Sequence, residues 1–163
     1  MMNRDKIISL DQLEQRAKAL RAAGKKIVAT NGCFDLLHVG HVRYLRTARA
    51  LGDVLIVGIN GDESVRGLKG PNRPLNKQND RAEVLAALES VDFVTIFTER
   101  RATKFLELAE PAVYVKGGDY KQETLNAEER RALEKVGAKI EIVPLEKGYS
   151  TSELIERLNE TRK

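Results

Sequence analysis

At 163 residues, the chain is long enough for one domain with a sizeable core but not comfortably for two. Its 42% of hydrophobic and 32% of charged residues are typical of a globular protein. The net charge is only +4, and the basic residues are interspersed with acidic ones, so we expect no binding of nucleic acid. The single cysteine excludes an internal disulfide, no apolar run approaches the ~20 residues that cross a bilayer, and the charged N-terminus is unlike a signal peptide, so we expect a cytoplasmic protein without a membrane partner.

Segments with the apolar spacing of helices alternate along the chain with short apolar runs typical of buried parallel strands. We predict an amphipathic N-terminal helix over about 9–23, with Ser9 or Asp11 as its cap, and a core over about 25–160. The predicted strands of that core are 26–30, 54–60, 92–97, 112–116 and 139–143. The predicted helices lie between the first strand and Gly52, briefly after Asn60, and over 81–89 (capped by Asn79), 101–108, 125–136 and 153–159. Short connections indicate a single domain over 1–163: an α/β fold with a Rossmann-like, doubly wound, parallel five-stranded sheet and helices on both faces.

The first strand runs into Asn-Gly-Cys-Phe-Asp-Leu-Leu-His-Val-Gly-His over residues 31–41. This stretch has the pattern of a tight turn and a helix start, where unpaired N–H groups and the helix dipole favour phosphate. His38 and His41 are the only histidines, and their spacing predicts two rings on one helix face, with Gly40 leaving room for close approach. Two capping or core histidines are the ordinary alternative, and a metal pair is disfavoured because no further ligand lies at a suitable spacing. Their place at a strand-to-helix turn favours a phosphate site.

Three further segments admit both a structural and a functional interpretation. Loop 69–76, with a lysine, an arginine and two prolines, is either a plain surface loop or a lid over bound phosphate. Gly117-Gly118 either terminates the fourth strand or lets the backbone approach a ligand. The Ser-Thr-Ser start of the last helix, 150–152, is explained by capping alone or by hydroxyls that face phosphates. Cys33 is interpreted as a small filler of the turn rather than a nucleophile.

The order Gly-x-Phe-Asp before the paired histidines resembles the first signature of the nucleotidyltransferase superfamily, the HxGH, cytidylyltransferase-like enzymes. Within it, the chain is similar to the adenylyltransferases that act on D-glycero-D-manno-heptose 1-phosphate. This similarity is carried by Val57-Gly58-Ile59-Asn60-Gly61-Asp62, Lys69-Gly70, Arg73-Pro74, Arg81 before Val84-Leu85, Val91-Asp92, Lys116-Gly117-Gly118-Asp119-Tyr120 and Gly148-Tyr149-Ser150-Thr151-Ser152. In many bacteria that enzyme is the C-terminal half of a bifunctional heptose 7-phosphate kinase/heptose 1-phosphate adenylyltransferase, and here we expect it to act without the kinase half. The resemblance implies that ATP and the sugar 1-phosphate give ADP-heptose and pyrophosphate, towards lipopolysaccharide core or a related glycan.

The resemblance also implies a role for each matching residue. His38, His41 and Lys69 would be catalytic, the histidines on the triphosphate and the lysine between the α-phosphate and the incoming phosphate. The nucleotide would lie along Gly32, Cys33, Phe34, Asp35, Gly40, Ser150, Thr151 and Ser152. The sugar phosphate would contact Arg73, Lys116 and Asp119. Mg²⁺ is expected with ATP as co-substrate, held mainly by the nucleotide, and relatives of this size are commonly homodimers.

Other acceptors and another class of protein remain as alternatives. Leu145-Glu146 stand where glycerol-3-phosphate cytidylyltransferases carry an Arg-Thr pair, which disfavours cytidylyl transfer. A different phosphate ester, such as glycerol 3-phosphate, ethanolamine phosphate or FMN, would keep the chemistry and change the acceptor. A non-catalytic nucleotide-binding module is the alternative of another class. The two histidines and Lys69 argue against it, because a pure binder needs fewer contacts to a transition state.

Overall fold

The computed structural model describes residues 3–118, 124–144 and 148–161. In these ranges five strands form one sheet: β1 (Ile27–Gly32), β2 (Val54–Asn60), β3 (Phe93–Phe97), β4 (Val113–Gly117) and β5 (Lys139–Val143). The helices are α1 (Leu10–Ala22), α2 (Val39–Arg49), α3 (Asp62–Lys69), α4 (Gln78–Ala86), α5 (Thr103–Ala109), α6 (Ala127–Lys135) and α7 (Thr151–Glu160), after a 3-10 turn at Asn3–Lys6. No helix in the described ranges is long and apolar enough to cross a membrane.

The sheet has the strand order β3-β2-β1-β4-β5, and every pair is parallel. The chain therefore builds outward from β1 to β3, crosses back, and builds outward again from β4 to β5. This is the doubly wound, Rossmann-like arrangement that the sequence predicts, so the predicted fold class is confirmed. The order of the strands reverses between β1 and β4, and ligands of such sheets bind beyond the carboxyl ends of the strands at that point.

The hydrophobic core lies on both faces of the sheet because successive strand residues point to opposite sides. Ile27, Ala29 and Ile56 face one way and pack with residues of α1, α5 and α6. Val28, Leu55 and Val57 face the other way and pack with residues of α2 and α4. All seven residues of β2 are buried, as expected of a strand covered on both sides.

The predicted element bounds agree with the structure to within a few residues, and one predicted cap is wrong. Of the two predicted cap candidates, Ser9 and Asp11, Ser9 is the cap of α1, in a capping box with Gln12. Asn79 does not cap the fourth helix, because α4 begins one residue earlier, at Gln78. The Gln78 side chain accepts the N–H of Asp62 at 2.9 Å, and this tertiary contact ties the starts of α3 and α4 together.

The register of the sheet opens a crevice at the switch point. β1 pairs with β2 along its whole length, from Ile27–Val54 to Gly32–Ile59. Its pairing with β4 covers Val28–Val113 and Ala29–Tyr114 and stops before the end of β1. The carboxyl ends of β1 and β4 are therefore not joined by ladder hydrogen bonds, and the 31–41 stretch leaves the sheet at this edge.

Candidate active site

The two histidine rings lie close together at the start of α2, with their planes tilted by 34°. Their ring centroids are 4.0 Å apart, as the spacing predicts for a shared helix face. The backbone N–H of His38 donates to Nδ1 of His41 at 3.4 Å. Because Nδ1 of His41 is the acceptor, its Nε2 carries the proton of the neutral ring and can donate to a ligand. Nδ1 of His38 is buried and has no hydrogen-bond partner among the described residues.

Burial sets the protonation of this pair. Burial, together with a smaller effect of the neighbouring His38, lowers the pKa of His41 from 6.5 to about 4. Burial also lowers the pKa of His38, although Glu153 opposes this shift. Both rings are therefore neutral at pH 7 and act as hydrogen-bond donors rather than as fixed cations.

Gly40 is required at its position by the crowding around it. A Cβ atom there would lie 2.9 Å from Cε1 and Nδ1 of the His38 ring and 2.9 Å from Cβ of Tyr149. Any side chain would therefore displace the imidazole or the segment that leads into α7. The glycine lets the turn, the His38 ring and the residues before α7 meet at one place.

Asp35 fixes loop 70–76 against the turn. Its side chain is 2% exposed and accepts hydrogen bonds from Nε of Arg73 at 2.7 Å and from the N–H groups of Leu75 and Asn76. Burial acts to raise the pKa of Asp35, but the Asn76 and Leu75 N–H donors and the Arg73 guanidinium together hold it below its ordinary value. Arg73 is therefore engaged with Asp35, next to the turn, and its predicted role on the sugar phosphate stays a prediction.

Arg81 is a structural residue of the site and is not among the predicted site residues. Its side chain is 1% exposed. The guanidinium donates to the carbonyl oxygens of Cys33 and Asn76 and to the Asp62 carboxylate, so it joins the turn, the loop and the start of α3. A signal was present in the sequence, because Arg81 lies four residues before the core Leu85 and so occupies the buried face of the helix.

Cys33 and Phe34 form the tip of the turn. Burial raises the pKa of the Cys33 thiol, against the nearby cations Lys69 and Arg81, so the sulfur stays protonated and the interpretation as a filler is favoured. Phe34 has a left-handed backbone with φ of 47°, and its ring centroid lies 5.4 Å from that of His41. A Cβ atom on Gly32 would lie 3.1 Å from the Phe34 ring, so this glycine also serves close packing.

A cavity of about 500 Å³ lies at the carboxyl ends of β1, β2 and β4. The end of α3, the loop before α5 and the start of α6 close its other sides. Of the predicted site residues, it brings together Gly32, Cys33, Lys69 and Lys116. Arg100 and Arg101 also line it, although their sequence pattern does not indicate a site. Asp119, predicted for the sugar phosphate, lies outside the described residues.

The start of α7 lies beside the histidines. Ser150 Oγ accepts the N–H of Glu153 at 3.1 Å, so capping accounts for this hydroxyl. Thr151 Oγ1 donates to the carbonyl oxygen of Leu36 at 3.4 Å and joins the last helix to the turn. Ser152 is exposed. A smaller cavity, of about 210 Å³, lies between His38 and this helix start. The roles predicted for the three hydroxyl residues on phosphates stay predictions.

A doubly wound parallel sheet with a donor-rich helix start and a cationic cavity at its switch point defines a nucleotide-binding α/β protein of the HxGH type. A comparison of the sequence with protein families gives the particular assignment. The chain belongs to the cytidylyltransferase-like family, whose model matches residues 29–157. This confirms the resemblance inferred from the motif.

Two relatives and two solved structures extend the assignment. The bifunctional proteins HldE of Geotalea uraniireducens and Aliarcobacter butzleri are 50% identical over 153 residues and 46% identical over 157 residues. The matches cover 94% and 96% of this chain, which spans about a third of these relatives, 31% and 32% of their lengths. A lipopolysaccharide core biosynthesis protein of Thermoplasma volcanium is 28% identical with a TM-score of 0.63, over 77% of this chain and 99% of that one. A pantoate-β-alanine ligase of Francisella tularensis, solved with β,γ-ATP and β-alanine, shares the fold at 16% identity and a TM-score of 0.59, over 96% of this chain and 79% of that one.

Proposed function

We propose that the chain is an adenylyltransferase that joins ATP and D-glycero-D-manno-heptose 1-phosphate to give ADP-heptose and pyrophosphate. The observation that carries the transfer chemistry is the close pair of His38 and His41 at the start of α2, with Nδ1 of His41 occupied by the His38 N–H, in a protein whose switch-point cavity is lined by cations. The identity of half the residues over most of the chain with bifunctional HldE proteins supports the assignment. The heptose acceptor rests on the motifs that resemble the heptose 1-phosphate adenylyltransferases.

The reaction is an in-line displacement at the α-phosphorus. An oxygen of the acceptor's phosphate forms a bond to this phosphorus while the bond to the oxygen that bridges the α- and β-phosphates breaks. Pyrophosphate leaves with that electron pair. The attacking oxygen is already anionic at neutral pH, so the site needs no general base, and catalysis depends on positioning and on donors at the phosphoryl oxygens.

The proposed roles follow from the hydrogen bonds of the turn. Nε2–H of His41 is held as a donor because Nδ1 of the same ring is occupied, and it would bind the triphosphate. His38, with its partnerless buried nitrogen, would bind the same group. Lys69 lines the adjoining cavity and would neutralise charge between the α-phosphate and the incoming phosphate.

Mg²⁺ is proposed to enter with the nucleotide. We expect the ion to be held mainly by phosphate oxygens and water rather than by side chains. When bound, the ion would neutralise charge on the phosphates of ATP and of the leaving pyrophosphate. The residues of the chain would hold the phosphates that surround the ion.

Pyrophosphate release tests the proposal and its alternatives. Purified protein is incubated with Mg²⁺ and ATP or CTP, and with heptose 1-phosphate or glycerol 3-phosphate as acceptor. The proposal expects release with ATP and the heptose ester. Release with CTP and glycerol phosphate would keep the mechanism and reject the substrates, whereas nucleotide binding without release under any pair would favour the non-catalytic module.

Assembly and compartment remain predictions from the sequence. We propose a homodimer, supported by the resemblance to dimeric relatives. We also propose that it is cytoplasmic, because a single cysteine fits a reducing compartment. Light scattering coupled to gel filtration distinguishes a dimer from the 18.2 kDa single chain. A monomeric mass across the working concentration range would reject the dimer.

A further inference from the structure

We propose that Arg100 and Arg101, in the loop between β3 and α5, bind the phosphate of the acceptor in the 500 Å³ cavity and set its specificity for phosphate esters. The inference rests on the proposed function and adds residues to it, because neither arginine belongs to the motifs that carry the family resemblance. Both side chains line the cavity that Lys69 and Lys116 also line. The occupant is identified by chemistry: a phosphate ester that also carries hydroxyl groups.

The charge of the cavity points to an anion. Its described lining residues include four cations, Lys69, Arg100, Arg101 and Lys116, and a single carboxylate, Glu129. Among the described residues, no ion pair includes Arg100, Arg101 or Lys69. The like charges of Lys69, Arg100 and Arg101 repel one another, and a bound phosphate dianion relieves that repulsion.

The loop that carries the arginines is fixed rather than loosely attached. Glu129, on α6 and 6% exposed, accepts the N–H of Ala102 at 2.9 Å. Ala102 is itself buried and directly follows the two arginines, at the N-cap of α5. The single carboxylate of the cavity is therefore used to hold the backbone from which Arg100 and Arg101 extend. Guanidinium groups on a fixed backbone suit bidentate binding of phosphate.

A side-chain amide in the same cavity is oriented as a donor. The hydroxyl of Tyr114, fully buried on β4, donates to Oδ1 of Asn31 at 2.6 Å. Because its oxygen is occupied, the Asn31 amide offers its N–H groups to the cavity that it lines. An amide donor beside four cations suits an acceptor with both phosphate and hydroxyl oxygens.

The same cationic cavity could in chemical terms hold the phosphates of the nucleotide or the phosphate of the acceptor. The position of the histidines favours the acceptor. His38 lines the separate 210 Å³ cavity beside α7 rather than this one. Gly32 and Cys33, which precede the histidines in the same turn, line the arginine cavity, whereas neither His38 nor His41 does. Triphosphate at the histidines would therefore leave the arginine cavity to the second substrate.

The test measures KM for heptose 1-phosphate and KM for ATP separately in variants of the two arginines. We compare the wild type with Arg100→Gln, Arg101→Gln and the double variant. Arg131→Gln is the matched control, because it removes the same charge from an exposed position on α6 that does not line the cavity. The double variant is expected to raise KM for heptose 1-phosphate about tenfold or more, as for loss of charge-assisted phosphate contacts, with KM for ATP within about twofold of wild type. Arg131→Gln is expected to change neither constant.

Two kinetic outcomes would overturn the inference. A rise in KM for ATP with an unchanged KM for the acceptor would assign the arginines to the nucleotide. Unchanged constants in a folded double variant would make them ordinary surface residues. Circular dichroism and the thermal midpoint establish that each variant is folded, and Arg100→Lys/Arg101→Lys replaces the double glutamine variant if that one does not fold. The lysine variant keeps the charge without the bidentate geometry, so the inference expects a smaller rise in the acceptor KM.

A binding measurement keeps this inference separate from the proposed function. Calorimetric titration of the wild type without ATP compares heptose 1-phosphate with unphosphorylated heptose. The inference expects binding of the phosphate ester alone and its loss in the double glutamine variant. If the wild type transfers nothing to any acceptor but shows this binding pattern, the proposed function fails and the inference about the arginines stands. If transfer occurs and the double variant binds the ester as tightly as wild type does, the inference fails alone.

Discussion

Asp35 and Arg73 form an ion pair of 2.7 Å between residues that are 38 positions apart in the chain. The carboxylate lies in the turn that precedes the histidines, and the guanidinium lies in loop 70–76. The same carboxylate accepts the backbone N–H groups of Leu75 and Asn76. Asp35 therefore holds the loop after Lys69 against the turn, and the geometry of the two parts depends on one buried charge.

We expect Asp35→Asn to loosen this loop. The substitution removes the charge that Arg73 faces and presents an N–H group where an acceptor is needed, at a cost of about 2 kcal/mol in the free energy of unfolding. Thermal melting at neutral pH measures the loss. Since hydrogen bonds hold the pKa of Asp35 below 3.8, its stabilising contribution is present above that pH and is lost as the pH falls below it. The melting points of wild type and variant should therefore converge in acid. A gap that stays constant down to pH 2 would contradict this account.

Gly40→Ala should damage activity more than stability. The added methyl group would lie 2.9 Å from the His38 ring and from Cβ of Tyr149, so the ring must shift from its position. We expect turnover to fall by about 100-fold, as for a displaced transition-state donor. Gly67→Ala is the matched control, because a Cβ atom there meets nothing within 4 Å. That variant should keep full activity, and its free energy of unfolding should rise by up to about 1 kcal/mol because alanine favours the helix more than glycine does. Equal activity of the two variants would exclude a steric role for Gly40.

The stability of the protein should rise with pH through the range in which its buried histidine is deprotonated. Burial lowers the pKa of His41 from 6.5 to about 4. Between these values the unfolded chain binds more protons than the folded one, so the free energy of unfolding increases from pH 4 to pH 6.5. Melting points of wild type and His41→Gln across this range measure the effect. The slope should be clearly smaller in the variant, and parallel slopes would show that His41 does not titrate in this way.

Tyr44→Phe should weaken the contact of α2 with the sheet. The Tyr44 hydroxyl lies 2.7 Å from Thr30 Oγ1 and donates to the carbonyl oxygen of Val115 at 3.1 Å, and burial raises its pKa to about 12. Its removal leaves buried polar atoms on β1 and β4 without this partner, at a cost of about 1–3 kcal/mol. Denaturant unfolding measures the loss, with the exposed Thr47→Ala on the same helix as a control. A variant as stable as wild type would mean that water replaces the hydroxyl.

The sequence predicts the parts of the site that are contiguous along the chain. Strand alternation gives the sheet, and the spacing of His38 and His41 gives their shared face, because both depend on local periodicity. Contacts between residues that are far apart in the chain cannot be predicted from local periodicity. Arg73 binds Asp35, and Arg81 binds the carbonyl oxygen of Cys33, and neither partner can be inferred from composition or period.

Long-range contacts also explain one omission and one wrong prediction. Arg100 and Arg101 have the pattern of a solvated loop, and only the return of β4 and α6 to the switch point makes them line a cavity. The predicted cap at Asn79 is wrong because α4 begins at Gln78, with Lys77 at its N-cap. The Gln78 side chain accepts a hydrogen bond from the start of α3. Local capping rules do not contain such contacts.

The central claim is transfer of the α-phosphate of ATP with its nucleoside, and a label on that phosphate tests it most directly. The protein is incubated with Mg²⁺, heptose 1-phosphate and ATP radiolabelled at the α-phosphate. We predict that the label enters a sugar nucleotide that phosphodiesterase cleaves to labelled AMP, with one pyrophosphate released for each molecule formed. Label that stays in ATP, or that appears only as AMP or ADP without the sugar, would contradict the claim.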